Sequence, residues 1–248
     1  MIRARRLPWR SWLRPARRAF IAFCLLLSLP MGAAAEDIRR ATYEDPTTRY
    51  AHGVLGDAIE HGTLVLVTAS GKRLRIVLPE DRVFEDTEPR LFDVDLDGER
   101  EVIVVEAQSA LGARLSIYDD SGLVAATPHI GRSNRWLAPI GAADLDGDGA
   151  IEIAYVDRPH LAKTARVWRF EDGALVEVGQ FPGVTNHRIG ERDIAGGIRD
   201  CGEGPEMIVA DASWNRLLAL TFDGRSIESN DIGRHSGRDS FARAMACP

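Results

Sequence analysis

Apolar positions along this chain fall into short runs, each closed by a polar, glycine-containing turn. Leu64–Val67 is followed by Arg73–Val77, and Val102–Val105 by Arg114–Tyr118 and Leu123–Val124. Ile153–Val156 leads to Arg166–Phe170 and Ala174–Val178, and Met207–Ala210 leads to Arg216–Leu220 and Ser226–Ile227. Short β-branched and aromatic runs read as strands. The turns Asp119–Gly122, Glu171–Gly173 and Phe222–Gly224 between such runs read as hairpins. No stretch after residue 35 holds a helical period.

These strand groups repeat. Residues 91–105 align with 142–156 at an offset of 51, which sets Asp93, Asp95, Asp97, Gly98 and Glu101 on Asp144, Asp146, Asp148, Gly149 and Glu152. A weaker copy keeps Asp200 and Glu206 at the third and ninth positions, with Ile198 and Gly202 at the first and fifth. A first copy keeps only Asp57, with Leu55, Ile59 and Thr63 at the other ligand positions. The repeat units predicted are approximately 50–88, 89–132, 136–183 and 187–233. A small twisted sheet with two apolar faces cannot bury both alone, and radial stacking solves that. The predicted fold is therefore all-β, a β-propeller of about four four-stranded blades in one domain over residues 36–248. Residues 37–49 or 234–248 would supply a missing strand. An incomplete propeller arc or a β-sandwich is the alternative.

The acidic loops carry the chemistry. Calcium takes six to eight oxygens, and alternate acids in a tight turn aim carboxylates at one centre. Glycine at the sixth position permits the bend. An EF-hand places its last Glu at position twelve between helices. Here the acid is at nine and a strand follows, so each loop joins two strands of a hairpin. The pattern resembles the FG-GAP or VCBS-type repeats of integrin-like propellers and many exported bacterial proteins, over roughly residues 50–233. That resemblance implies one calcium site at Asp93, Asp95, Asp97, Glu99 and Glu101, with Glu99 giving its backbone oxygen. It implies a second at Asp144, Asp146, Asp148, Ala150 and Glu152, with Ala150 in the backbone role. The outer two loops depart too far to be carried over. The metal would be structural, stiffening a hairpin.

The N-terminus changes the picture of where this happens. Seven arginines from Arg3 to Arg18 precede the apolar run Ala19–Leu29 and the small residues Ala33–Ala35. Basic, apolar, then small is the order of a secretory signal, so residues 1–35 are predicted to be a cleaved signal peptide and the protein periplasmic or secreted. The apolar run is too short to span a bilayer, so no membrane insertion is expected after cleavage. Residues 36–248 then hold 24 basic and 37 acidic residues, a formal charge of −13. Such a balance argues against nucleic acid as a partner and suits a collector of divalent cations. Cys201 and Cys247 remain, and in an oxidising compartment they are expected to pair.

No Gly-x-Ser-x-Gly, His-Glu-x-x-His, phosphate-binding glycine loop or paired-cysteine zinc motif occurs. Glycosidase carboxylates need no local signature, so enzymatic activity stays open, with a binding role the better reading. Loops joining second to third strands, and those joining repeat units, fall at the end opposite the acidic loops. There lie His129, Arg132, Asn134, Arg135, Trp136, Asp157, Arg158, His160, Asn186, His187, Asp211, Trp214 and Asn215. Convergent polar and aromatic groups would suit an unidentified protein, glycan or small-molecule ligand; ordinary loop chemistry, with Trp136 in the core, is the alternative. His52, His61 and His235 read as structural or exposed. Three functions follow: an exported binding module with structural calcium, a polysaccharide-acting hydrolase or lyase on the same scaffold, or an envelope scaffold without a ligand.

Overall fold

The computed structural model describes residues 35–247, so the predicted signal peptide lies outside the described residues but for Ala35. The chain is almost entirely antiparallel strand, arranged in three sheets, none of which closes on itself.

The first sheet holds β1 (Ile38–Thr47), β2 (Glu60–Thr68), β3 (Arg73–Val77), β4 (Arg82–Phe84), β5 (Arg90–Phe92), β6 (Glu101–Gln108), β7 (Gly112–Asp119) and β8 (Gly122–Ala126). Its two repeat units are joined through β4. That short strand pairs with β2 at His61↔Phe84 and with β6 at Arg82↔Gln108 through Phe84↔Glu106. The second sheet is a meander of β9 (Leu137–Ala143), β10 (Glu152–Asp157), β11 (Thr164–Glu171) and β12 (Ala174–Pro182). The third comprises β13 (Val184–Thr185), β14 (Gly197–Asp200), β15 (Pro205–Asp211), β16 (Arg216–Phe222) and β17 (Ile227–Arg234).

Why the second strand of each unit is a continuous apolar run follows from the stacking. Successive side chains on a strand point to opposite faces, and here both faces are covered. From β6, Ile103 and Val105 pack toward Ile153, Tyr155, Trp168 and Phe170 of the second sheet. Val102 and Val104 face the other way, onto Ile38, Leu64, Leu66 and Phe84. From β10, Ala154 and Val156 turn to Met207, Val209 and Leu220 of the third sheet. Burying each Val or Ile side chain contributes about 1.5–3 kcal/mol. This all-β stack fits an incomplete propeller arc or a sandwich.

The terminal segments behave differently from one another. Residues 38–47 do form a strand, but it pairs with β2 inside the first sheet, with Ala41 opposite Leu66. Of residues 234–248, those described supply no closing strand beyond the end of β17, and α1 (Arg238–Met245) lies there instead. Phe241 and Ala244, three apart, share one helical face and are buried against Ile208, Ala210 and Leu217. With three buried positions, Ser240, Phe241 and Ala244, the helical period is too short to detect along the sequence. Among the described residues no helix is long and apolar enough to cross a membrane.

Candidate metal centres

Both acidic loops sit at the same end of their sheets, joining β5 to β6 and β9 to β10. Each is built the same way. The second residue, Val94 or Leu145, is buried in an inter-sheet core, and its N–H donates to the ninth residue, Glu101 or Glu152, at 2.9 Å in both loops. Gly98 and Gly149 N–H donate to Asp93 and Asp144 Oδ2 at 3.0 Å. Their φ values of 94° and 90° are ones that glycine alone adopts freely. Asp97 and Asp148 cap their own turns, accepting from Glu99 N–H at 2.8 Å and Ala150 N–H at 2.9 Å.

The result is a pair of carboxylate clusters. Oxygens of Asp93, Asp95 and Glu101 lie within 4.8 Å of one another, as do those of Asp144, Asp146 and Glu152. The fifth-position acids, Asp97 and Asp148, fall outside these triads, and an oxygen of each accepts an N–H of its own turn. Burial lifts Glu101 to a pKa of about 7, with Asp95, Asp97 and Asp93 pushing the same way and the Val94 N–H opposing. Burial likewise raises Asp95, and its acidic neighbours add to the shift.

The two clusters differ in what already neutralises them. In the first, Asp93 Oδ1 is buried with no hydrogen-bond partner, which is costly unless something positive meets it. The donor set there, all oxygen, suits a hard cation. In the second, Asp144 Oδ1 accepts from Gly147 N–H at 2.8 Å. Arg169 also enters, bonding Asp146 at 2.6 Å, Asp148 at 2.9 Å and Glu152 at 2.6 Å. Burial raises Glu152 while the Leu145 N–H and Arg169 oppose. The first cluster fits a metal ion; the second already holds a protein cation. Nothing in the acidic spacing announced Arg169, which lies 17 residues beyond Glu152 and meets it only through strand pairing.

In the third sheet the corresponding loop, 201–204, is tethered otherwise. Arg199 pairs with Glu206 at 2.7 Å, and Cys201 is bonded to Cys247, their Cα atoms 5.5 Å apart.

At the opposite end the predicted face divides. Asn134, Arg135, Trp136, Arg158 and His160 line one cavity of about 270 Å³ together with His52, Val54, Leu161 and Ile189. His160 Nε2 lies 3.0 Å from His187 Nδ1, and His187 Nε2 lies 2.9 Å from the Glu191 carbonyl. Donation to that carbonyl fixes His187 with a bare Nδ1, so His160 donates to it. Burial lowers His160 to a pKa of about 4, so it is neutral at pH 7. His52 stands on the buried Glu85, 2.5 Å away; its partner lies 33 residues on, beyond the reach of local pattern. His129, Asp157 and Arg158 line a neighbouring cavity with Arg166 and Trp168.

Other members of the face lie elsewhere. Asn186 is fully buried and donates to the carbonyls of Ala138 and Pro139. Asp211 caps the turn through the N–H groups of Asn215 and Arg216. Trp214 packs on His235 and Phe241, so His235 has an aromatic partner. His61 stacks on Tyr43. Arg132 is exposed, and its carbonyl crowds Gly112. Trp136 is buried, its indole N–H donating to the Glu85 carbonyl at 2.8 Å.

No curated protein matches this chain. Residues 93–155, from the first acid of one loop to the strand after the other, match the model of the FG-GAP-like repeat, and the chain carries a repeat of that type across both acidic loops.

Proposed function

We propose that this chain is an exported interaction module in which calcium is structural, and whose end opposite the acidic loops receives a protein, glycan or small-molecule partner. The observation that carries the calcium reading is the first cluster: three carboxylates within 4.8 Å and an unpartnered, buried Asp93 oxygen. Asp93, Asp95 and Glu101 would hold the ion, with the Glu99 carbonyl as a further oxygen. Bound calcium supplies positive charge where Glu101 and its neighbours otherwise repel one another. The protein's own part is to fix the loop: Val94 anchors it in the core, and Arg100 ties its end to Asp37 at 2.8 Å.

Support for a recognition role comes from the cavity around Trp136. Its walls combine an indole, two aliphatic residues exposed at the surface, Leu161 and Ile189, and the hydrogen-bonding groups of Arg135, Arg158, His52 and His160. A mostly apolar hollow with a few convergent polar groups is the usual form of a binding site. The formal charge of −13 after the predicted cleavage favours partners other than nucleic acid. The N-terminal pattern supports a periplasmic or secreted location.

Ligand-observed NMR against a panel of small sugars, peptides and carboxylates tests the recognition reading. Binders are expected to lose contact with an Arg135→Ala/His160→Asn variant. Binding retained unchanged in that variant would place recognition elsewhere. Export is tested separately, by fractionating cells that express the full chain. Recovery in the cytoplasm with the N-terminus intact would refute it.

A further inference from the structure

We infer that Arg169 is a built-in cation that takes the place of a metal ion in the second acidic loop, so that the chain binds calcium at the first loop alone. The inference rests on the calcium reading of that first loop. It separates two loops that the repeat pattern makes look equivalent.

The geometry is specific. Glu152 of β10 and Arg169 of β11 are directly opposite in the antiparallel register. Three guanidinium nitrogens reach three carboxylates: Nε to Glu152 Oε1 at 2.6 Å, Nη2 to Asp146 Oδ2 at 2.6 Å and Nη1 to Asp148 Oδ2 at 2.9 Å. These are the ninth, third and fifth positions of the loop. The first-position acid is already satisfied, since Asp144 accepts from Gly147 N–H and from Gly149 N–H. Every acid of the loop is therefore engaged by a donor the protein supplies. A planar fork that cannot lose its charge suits this task, and charge-assisted bonds to it are the strong ones.

Among the described residues the first loop has no such counterpart. Val102 pairs with Tyr118 across β6 and β7, so the residue facing Glu101 is Asp119, another acid. Asp119 is itself consumed by the turn, accepting from Ser121 and Gly122 N–H. The nearest lysine contact on this hairpin goes from Lys72 to Asp120, 3.7 Å apart, outside the loop. Asp93 Oδ1 is left without a donor. Calcium entering here meets no competitor. Calcium entering the second loop must first expel Arg169 from partly buried acids, losing three charge-assisted bonds.

Isothermal titration of the full chain with calcium chloride, after removal of divalent ions, reads the difference. The wild type is expected to take one equivalent, and Arg169→Met, which keeps the aliphatic stem, to take two. Asp93→Asn/Glu101→Gln is expected to take none, and the same pair of changes combined with Arg169→Met to take one. Two equivalents in the wild type, or one equivalent retained in Asp93→Asn/Glu101→Gln, overturns the inference. The second of these arms leaves Arg169 untouched, so it decides the matter even if Arg169→Met fails to fold. No uptake by the wild type with one equivalent in Arg169→Met would sink the first-loop reading and uphold the arginine. No uptake by either would sink both.

Discussion

Leu96 and Gly147 occupy the same position of the two acidic loops and share a left-handed backbone, with φ of 62° and 77°. Only glycine adopts that conformation without a steric cost. The Leu96 side chain is 55% exposed, so burial returns little of it. The shared backbone is set by the loop, and one copy carries a residue that it does not favour.

Leu96→Gly is therefore expected to raise stability by about 0.5–1 kcal/mol, the relief of left-handed strain less the added freedom of the unfolded chain. Gly147→Leu should cost about the same 0.5–1 kcal/mol, since a Cβ there meets nothing within 4 Å and the same two terms act in reverse. Urea midpoints measure both. Loss of stability in Leu96→Gly would mean that the leucine side chain makes a contribution the exposed position hides.

Glu60 is 2% exposed, with one carboxylate oxygen unpartnered. Burial, reinforced by Glu85, raises its pKa from 4.5 to about 9. Between those values the folded chain keeps a proton that the unfolded chain releases. Glu60's contribution is thus fully present below pH 4.5 and is lost as pH rises toward 9. Glu60→Gln should remove that decline, so the variant gains on the wild type steadily from pH 5 to pH 9. Parallel stability curves over that range would contradict the assignment.

On the acid side His160 acts in the opposite direction. Its pKa is lowered by burial from 6.5 to about 4. The unfolded chain takes up a proton in that window and the folded chain does not, so stability falls as pH drops from 6.5 to 4. His160→Asn should flatten this part of the melting profile. An unchanged slope would show that His160 carries its charge in the folded protein.

Cys201 and Cys247 close a loop across 46 residues and hold the end of α1 against the third sheet. Cys201→Ser/Cys247→Ser is expected to cost about 2–4 kcal/mol. Helical amide protons of Phe241 to Met245 should lose protection from hydrogen exchange first. Protection that falls evenly over the whole chain would place the disulfide's effect elsewhere.

Much of the sheet pattern was readable because both faces of β6, β10 and β15 are buried, which forces continuous apolar runs between turns. The acidic loops were readable because their ligands lie within nine residues. Features made by distant pairing were not. Arg169 reaches Glu152 through the register of β10 and β11, and His52 reaches Glu85 across 33 residues. β4 links two repeat units with three residues, too few to give a period. Helix α1 was missed because its buried face amounts to Ser240, Phe241 and Ala244.

Thermal melting of the full chain with calcium and with chelator tests the central claim most directly. Calcium at a hundredfold excess over its dissociation constant contributes about 2.7 kcal/mol, which for a domain of this size is roughly 5–10 °C. The account predicts that rise in the wild type and its absence in Asp93→Asn/Glu101→Gln. A midpoint indifferent to calcium and chelator alike, or an equal rise in the variant, would contradict it.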